Sequence, residues 1–163
     1  MEAHSPFLHE VAVTAIVVKD GKYLITRRTL AKKRFPGMWT VPGGKLETHD
    51  YASLPKDSDN AWYNVLENVV RREVREEVGL EIRNIEYVIS LATLDKDNMP
   101  LLVISCCADW ASGDVVLQES ETDQFAWISS EEAKDYDLID GIDEELRMVD
   151  MRRRGERSEW KRN

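Results

Sequence analysis

A mixed α/β fold, rather than a regular βαβ array, is predicted by three features of the chain. A β-branched apolar run over residues 10–18 is followed by a hairpin signal at Asp20-Gly21. One long helical stripe of Leu66, Val70, Val74 and Val78, with Val69 beside it, stops at Gly79. Further strand-like segments and a last helical stretch follow. Strands interrupted by one long helix and then closed by terminal helices fit a mixed sheet covered by helices.

Each element has its own signal. Residues 10–18, EVAVTAIVV, read as a buried strand, and residues 23–28 as the strand returning from the hairpin. A basic loop from Arg27 to Arg34 leads into Phe35-Pro36-Gly37-Met38-Trp39, then a short extended piece over residues 40–42. Gly43-Gly44 reads as a loop that lets backbone approach a ligand closely. Residues 48–63 are polar and carry Pro55, Asp57, Ser58, Asp59 and Asn60, which marks an inserted surface loop, about 51–63. The helical pattern begins near Trp62. Beyond Gly79, strands are expected over residues 85–94, 101–108, 114–118 and 125–128, with a turn at 95–98. Ser129 or Ser130 before Glu131 and Glu132 marks a helix start, and a last helix covers about 140–153. With no internal repeat and no linker, the 163 residues form one domain with its core over about 10–150.

Composition narrows the classes. The 42% hydrophobic content suffices for a core. No apolar run reaches membrane-spanning length, and the first ten residues lack the basic start and apolar run of a signal peptide. Cys106 and Cys107 are adjacent in a strand, so their side chains point to opposite faces and a disulfide is not expected. A reducing cytoplasm is the expected location. The net charge of −9 argues against a general nucleic-acid binder. It is compatible with a phosphorylated substrate if a metal ion intervenes.

The nine residues Arg72-Glu73-Val74-Arg75-Glu76-Glu77-Val78-Gly79-Leu80 carry the chemistry. At about 100° per residue, Glu73, Glu76 and Glu77 fall within an arc of roughly 100°. Like charges so placed repel, unless a cation is there to be held. Hard divalent ions take oxygen ligands, and magnesium takes carboxylates together with substrate phosphates. Taken alone, such a cluster reads as a solvated face with i, i+4 ion pairs.

The glycine pair decides between these readings. Together with the acidic helix it resembles the Nudix box, G-x5-E-x7-R-E-U-x-E-E-x-G-U with U aliphatic. Residues 72–80 match the second half at every defined position, Gly44 matches the opening glycine, and Pro42-Gly43-Gly44-Lys45-Leu46-Glu47 is typical of the lead-in. Gly44 to Leu80 spans 14 residues more than the family's usual box. Counting forward from Gly44, the first box glutamate falls on Asp50; counting back from Arg72, it falls on Asn64. Asp50, Glu67 and Glu47 are the candidates for its role. Phe125-Ala126-Trp127-Ile128 and the following Ser129-Ser130-Glu131-Glu132 resemble the family's late strand and helix.

The resemblance implies an α/β/α sandwich around a mixed β-sheet. It implies hydrolysis of a nucleoside diphosphate linked to another group. Glu76 and Glu77 would be Mg2+ ligands, with Mn2+ a possible substitute, and Glu73 a third ligand or the base. The Gly43 carbonyl and Glu121 would complete the metal site. Arg72 would orient a glutamate. Lys45, Arg27 and Arg28 are candidates to meet phosphate, although Arg27 and Arg28 alternate faces on a strand. Trp39 could stack on a base, with core packing the plainer reading for it and for Trp127. His4, His9 and His49 show no ligand spacing. The basic tail from Arg152 to Arg162 reads as a helix end complementing the dipole, with RNA contact the rival.

Residues 33–47 look most like members that hydrolyse nucleoside triphosphates, including modified ones. A coenzyme A or other nucleotide-conjugate pyrophosphatase is the alternative; residues 24–44 match that motif's spacing with Ile25, Thr29, Lys33 and Val41 substituted. The Ser-Gln-Pro-Trp run of NADH-type members is absent. A non-catalytic nucleotide-sensing domain is disfavoured because Glu73, Glu76 and Glu77 are all kept. The expected partner is a small nucleotide, not a membrane, with nucleic acid disfavoured and a monomer or homodimer as the assembly.

Overall fold

The computed structural model describes residues 5–160. Its strands are β1 (Glu10–Lys19), β2 (Lys22–Arg28), β3 (Trp39–Thr40), β4 (Gly43–Lys45), β5 (Glu81–Leu94), β6 (Pro100–Ser112) and β7 (Thr122–Ile128). Helix α1 spans Val65–Val78 and α2 spans Ile142–Arg153. Short 3-10 turns at Thr48–Asp50 and Glu131–Asp135 complete the elements.

The sheet runs β3-β2-β1-β6-β5, with β4 also on β1 and β7 also on β2. Only β1 and β6 are parallel; the other pairs are antiparallel. One edge of β1 is shared. Its far end meets β2 at Val18 and Lys19, and its near half meets β4, where Ala12, Val13 and Thr14 face Lys45, Gly44 and Gly43. The glycine pair is therefore a strand rather than the loop expected from sequence. It is held on the middle of the central strand.

Alternation along β1 builds two cores. Val13, Ala15 and Val17 pack with Val69, Val70, Val74 and Val78 of α1. Ile16 and Val18 point the other way, to Leu146, Met148 and Val149 of α2. Cys106 joins the first cluster and Cys107 the second, both as free thiols, as their adjacency on a strand requires. Sheet and helices thus form the sandwich the sequence implied. Tyr23 Oη and Ser130 Oγ both donate to the carboxylate of Asp150 and tie α2 to β2.

Residues 114–118 are not a strand. They run past the C-terminal end of α1, where the Val116 and Gln118 amides donate to the carbonyls of Val78 and Glu77 at 2.9 Å each. Those carbonyls have no partner inside the helix, so the segment caps it instead of joining a sheet. Gly79 closes α1 at φ 72°. The insertion is self-bonded: the Trp62 indole donates to Leu54 O, and the rings of Tyr51 and Trp62 lie 5.4 Å apart.

The first three cations of the basic tail, Arg152, Arg153 and Arg154, are paired within the chain. Arg152 donates to the Tyr87 and Val88 carbonyls, Arg153 pairs with Asp109, and Arg154 pairs with Glu156. His4, Lys161 and Arg162 lie outside the described residues. Among the described residues no helix is long and apolar enough to cross a membrane.

Because the sheet separates the two cores, losses on its two sides should add. Val70→Ala and Val149→Ala, both fully buried sites, should each cost about 2 kcal/mol. The double variant should equal their sum within about 0.5 kcal/mol in urea unfolding at unchanged slope. A coupling well above that would show that the two clusters are one.

Candidate active site

Helix α1 lies along β4 because its valine face is buried on the sheet, and this turns its polar edge toward the glycine pair. Glu77 falls on the inner side of that edge and is only 8% exposed. Its Oε2 accepts the Gly43 amide at 3.0 Å. Burial pushes this carboxyl up to about 7; the Gly43 hydrogen bond opposes the shift, and the charges of Glu73 and Glu121 add to it. The positive charge of Arg28 also acts on Glu77.

Glu73 lies over Gly44. A Cβ at Gly44 would fall inside the Glu73 carboxyl group, so only glycine leaves room for it. A Cβ at Gly43 would instead strike the carbonyl oxygen of Val13. Burial raises the Glu73 carboxyl as well, against the pull of Arg72 and with Glu76 and Asp50 adding. Glu76 is the outermost of the three, with its side chain 53% exposed.

One guanidinium organises these acids. Arg72 reaches Glu73 at 2.9 Å, Glu76 at 3.1 Å and Asp50 at 3.0 Å. Asp50 is almost fully buried, and its other oxygen accepts the Glu47 amide at 2.8 Å. Among the three candidates for the missing first glutamate, Asp50 is the one placed on Arg72. Counting forward from Gly44 finds it, because the insertion lies after it.

The remaining predicted residues divide. Arg28 is on the Glu77 side, and its Nε donates to Arg34 O. Arg27 points away into a two-point ion pair with Asp123, as strand alternation demands. Lys45 is paired with Glu10 at 2.7 Å and does not reach the acids of α1. Glu121 is ion-paired with Lys32, yet close enough for its charge to act on Glu77. Trp39 packs edge-on against Tyr136, 5.0 Å between ring centres, at the rim of the α2 core. Trp127 packs on the α1 side.

The donor set suits a hard divalent cation. Glu73, Glu76 and Glu77 at the C-terminal end of α1, with Glu121 from the loop before β7, offer only carboxylate oxygens. Two of these carboxyls, Glu73 and Glu77, are held above their ordinary range by burial and by the charges of neighbouring acids. A cation would relieve both. Among the described residues no three such groups converge to coordination distance, since Arg72 draws Glu73 and Glu76 aside while Gly43 holds Glu77.

Two measurements follow. An acid whose pKa is raised on folding binds its proton more tightly in the native state, so it opposes folding as pH rises. For Glu77 the loss starts near the ordinary glutamate value and is complete above about 7. With chelator present, Glu77→Gln should match wild type near pH 5 and exceed it by roughly 2–3 kcal/mol at pH 8 in urea unfolding; equal stability at both would refute the burial argument. Gly44→Ala should fold normally but lose most divalent-ion affinity, because a mobile carboxylate must move aside. Gly43→Ala should lower thermal stability instead, because backbone must move.

Similarity to known proteins agrees with this geometry. Residues 8–147 match the NUDIX domain family. The chain is 26% identical over 139 residues to the nucleoside triphosphatase NudI of Klebsiella pneumoniae (strain 342), covering 77% of this chain and 86% of that protein. It is 40% identical over 121 residues to the NAD-capped RNA hydrolase NudC of Pseudomonas aeruginosa, covering 72% of this chain but only 35% of that one. Among solved structures, a MutT protein from Methanosarcina mazei Go1 superposes with a TM-score of 0.67 at 21% identity, covering 93% of this chain and 99% of that chain. A family match across most of the length, on a site with this arrangement of acids, shows that the chain belongs to the Nudix family and is a Nudix pyrophosphohydrolase.

Proposed function

We propose that the protein hydrolyses a pyrophosphate bond in a nucleoside triphosphate or modified nucleotide, with Mg2+ held by Glu73, Glu76 and Glu77. The observation that carries this reading is the electrostatic coupling of those carboxylates at the end of α1 over Gly43 and Gly44. Nudix enzymes generally use divalent cations. The NudI relatives, matched over most of their length, are nucleoside triphosphatases.

Each residue then has a task. A bound Mg2+ would neutralise diphosphate charge and acidify a coordinated water. Arg72 sets Glu73 and Glu76 in orientation, and Asp50 fixes Arg72 in turn. The Gly43 amide fixes the Glu77 carboxylate. Glu73, raised by partial burial, is placed to take a proton from water. Glu121 is available for a further ion once released from Lys32. Arg28 offers a positive charge for a phosphate oxygen.

A nucleotide panel with Mg2+, including coenzyme A and NADH, tests the reading by following phosphate and pyrophosphate release. Wild type should turn over at least one nucleoside triphosphate faster than either conjugate. Glu76→Gln should lower kcat at least a hundredfold, roughly the effect of removing one transition-state electrostatic contact. Equal activity in the variant would reject the metal assignment, and preference for coenzyme A would replace the substrate class.

A further inference from the structure

The insertion over residues 51–63 has no task in the proposed mechanism, yet it carries Tyr51, Trp62 and Tyr63 on an otherwise polar stretch. Packing accounts for two of these rings. Tyr51 and Trp62 lie 5.4 Å apart, the Trp62 indole donates to Leu54 O, and the Lys56 ammonium stands 5.4 Å over the Trp62 ring. The amides of Asp57 and Ser58 both donate to Ala61 O and close the loop on itself. Tyr63 is the exception. Its backbone is pinned, since its amide donates to Asp57 Oδ2 at 2.9 Å, but the residue is 63% exposed and belongs to neither core cluster.

A cavity of about 370 Å³ opens between this loop and the first turns of α1. That volume lies within the range of small-molecule sites. Tyr51, Trp62 and Tyr63 give it aromatic walls, and Asn64 and Asn68 give it amides that both donate and accept. The Asn64 side chain is not spent on capping the helix. The charged walls, Asp50 and Asp57, are both acids, which disfavours a phosphate inside. Asp57 uses one oxygen on the Tyr63 amide and keeps the other for an N–H donor. Aromatic faces with mixed donors and acceptors at their edge are the chemistry that holds an unstacked nucleobase.

The cavity has a fixed relation to the acids. Asn68, Arg72 and Glu76 form one i, i+4 stripe along α1, with Asn68 and Glu76 about 12 Å apart along the axis. Asp50, a wall of the cavity, is also the carboxylate 3.0 Å from Arg72, which holds Glu73 and Glu76. We propose that the insertion forms a second site, for an uncharged nucleoside whose base stacks on Tyr63 and bonds at its edge to Asp57 and the two asparagines. The occupant is either a free nucleoside or the far nucleoside of a dinucleotide whose phosphates lie at Glu76. The site goes beyond the pyrophosphatase reading, and only its effect on turnover rests on that reading. Loss of one base–aromatic stack corresponds to roughly fivefold to a hundredfold in affinity.

Binding is measured by calorimetry with chelator present, titrating adenosine, guanosine, cytidine and uridine. Wild type should bind at least one of them, and Glu76→Gln should bind it equally. Tyr63→Ala should weaken it at least about fivefold, and Tyr63→Phe should keep it. Tyr63 is exposed, so both variants should unfold in urea as wild type does. No binding in wild type, or binding indifferent to Tyr63→Ala, would overturn the site and leave the catalytic reading standing. Binding that Tyr63→Ala weakens, without hydrolysis of any nucleotide, would uphold the site and sink the catalytic reading. With Mg2+ two arms separate the sources. For the far nucleoside of a dinucleotide, a dinucleoside tetraphosphate should show a KM at least about fivefold below that of the matching triphosphate, and Tyr63→Ala should erase the difference while kcat holds. For a free nucleoside, adding it should change wild-type kcat on a triphosphate through Asp50 and Arg72, and leave Tyr63→Ala unaffected. Binding that depends on Tyr63 but moves neither parameter would uphold the site and overturn its link to the acids.

Discussion

Arg72 is the constraint on which the site depends. One guanidinium stands among three carboxylates, two on its own helix and one beyond the insertion. The helix alone would spread Glu73 and Glu76 apart by repulsion. A planar, permanently charged fork holds them on one face, a geometry the point charge of lysine would not impose. The contact with Asp50 does something further. It closes the chain around residues 51–63, so the extra loop hangs outside a linkage that the helix and the glycine strand already share. Asp50 is nearly fully buried and accepts a backbone amide with its second oxygen, so the linkage is rigid at both ends. An insertion at this point lengthens the surface path and leaves the acids where they are.

The glycine pair is the other half of the frame, and it acts as a strand rather than as a flexible loop. Pairing of Gly43 and Gly44 to β1 fixes their distance from the sheet centre. The absence of a Cβ is used twice, on two neighbouring residues, against different partners. At Gly43 it admits the backbone of β1, and at Gly44 it admits the Glu73 carboxylate. The site is therefore built between two rigid elements, a strand and a helix packed through one valine face. That is how carboxylates are held to the tolerance that catalysis needs.

Much of this was legible in the chain because it depends on period and spacing. The i, i+4 valines placed α1 and its acidic edge. Adjacent cysteines on opposite faces, and Arg27 and Arg28 on opposite sides of β2, followed from strand alternation. What was not legible depends on partners distant in sequence. Residues 114–118 alternate like a strand, but the unpaired carbonyls of Glu77 and Val78 compete for their amides and win. Lys45, next to the glycines, is drawn to Glu10 on the neighbouring strand. Glu145 carries no sequence signal at all, since on a helix with charged neighbours an acid reads as surface. Only the packing of α2 on β6 shows it to be inside.

The two buried acids pose one physical question. Burial disfavours the charged form of Glu77 and of Glu145 alike. Glu77 keeps an amide donor, whereas Glu145 has a bare oxygen. In a chain of net charge −9, the general field offers neither of them relief. Each needs a local donor of positive charge or of hydrogen bonds. The two lie on helices packed on opposite faces of the sheet, and only Glu77 stands among the other acids of α1. A divalent ion held by those acids would supply the positive charge that Glu77 lacks. Binding it would return to the native state the stability that the empty carboxylate costs. On this view the destabilising burial at the end of α1 is placed where a cation removes it, and cation affinity and the unfavourable burial have the same origin.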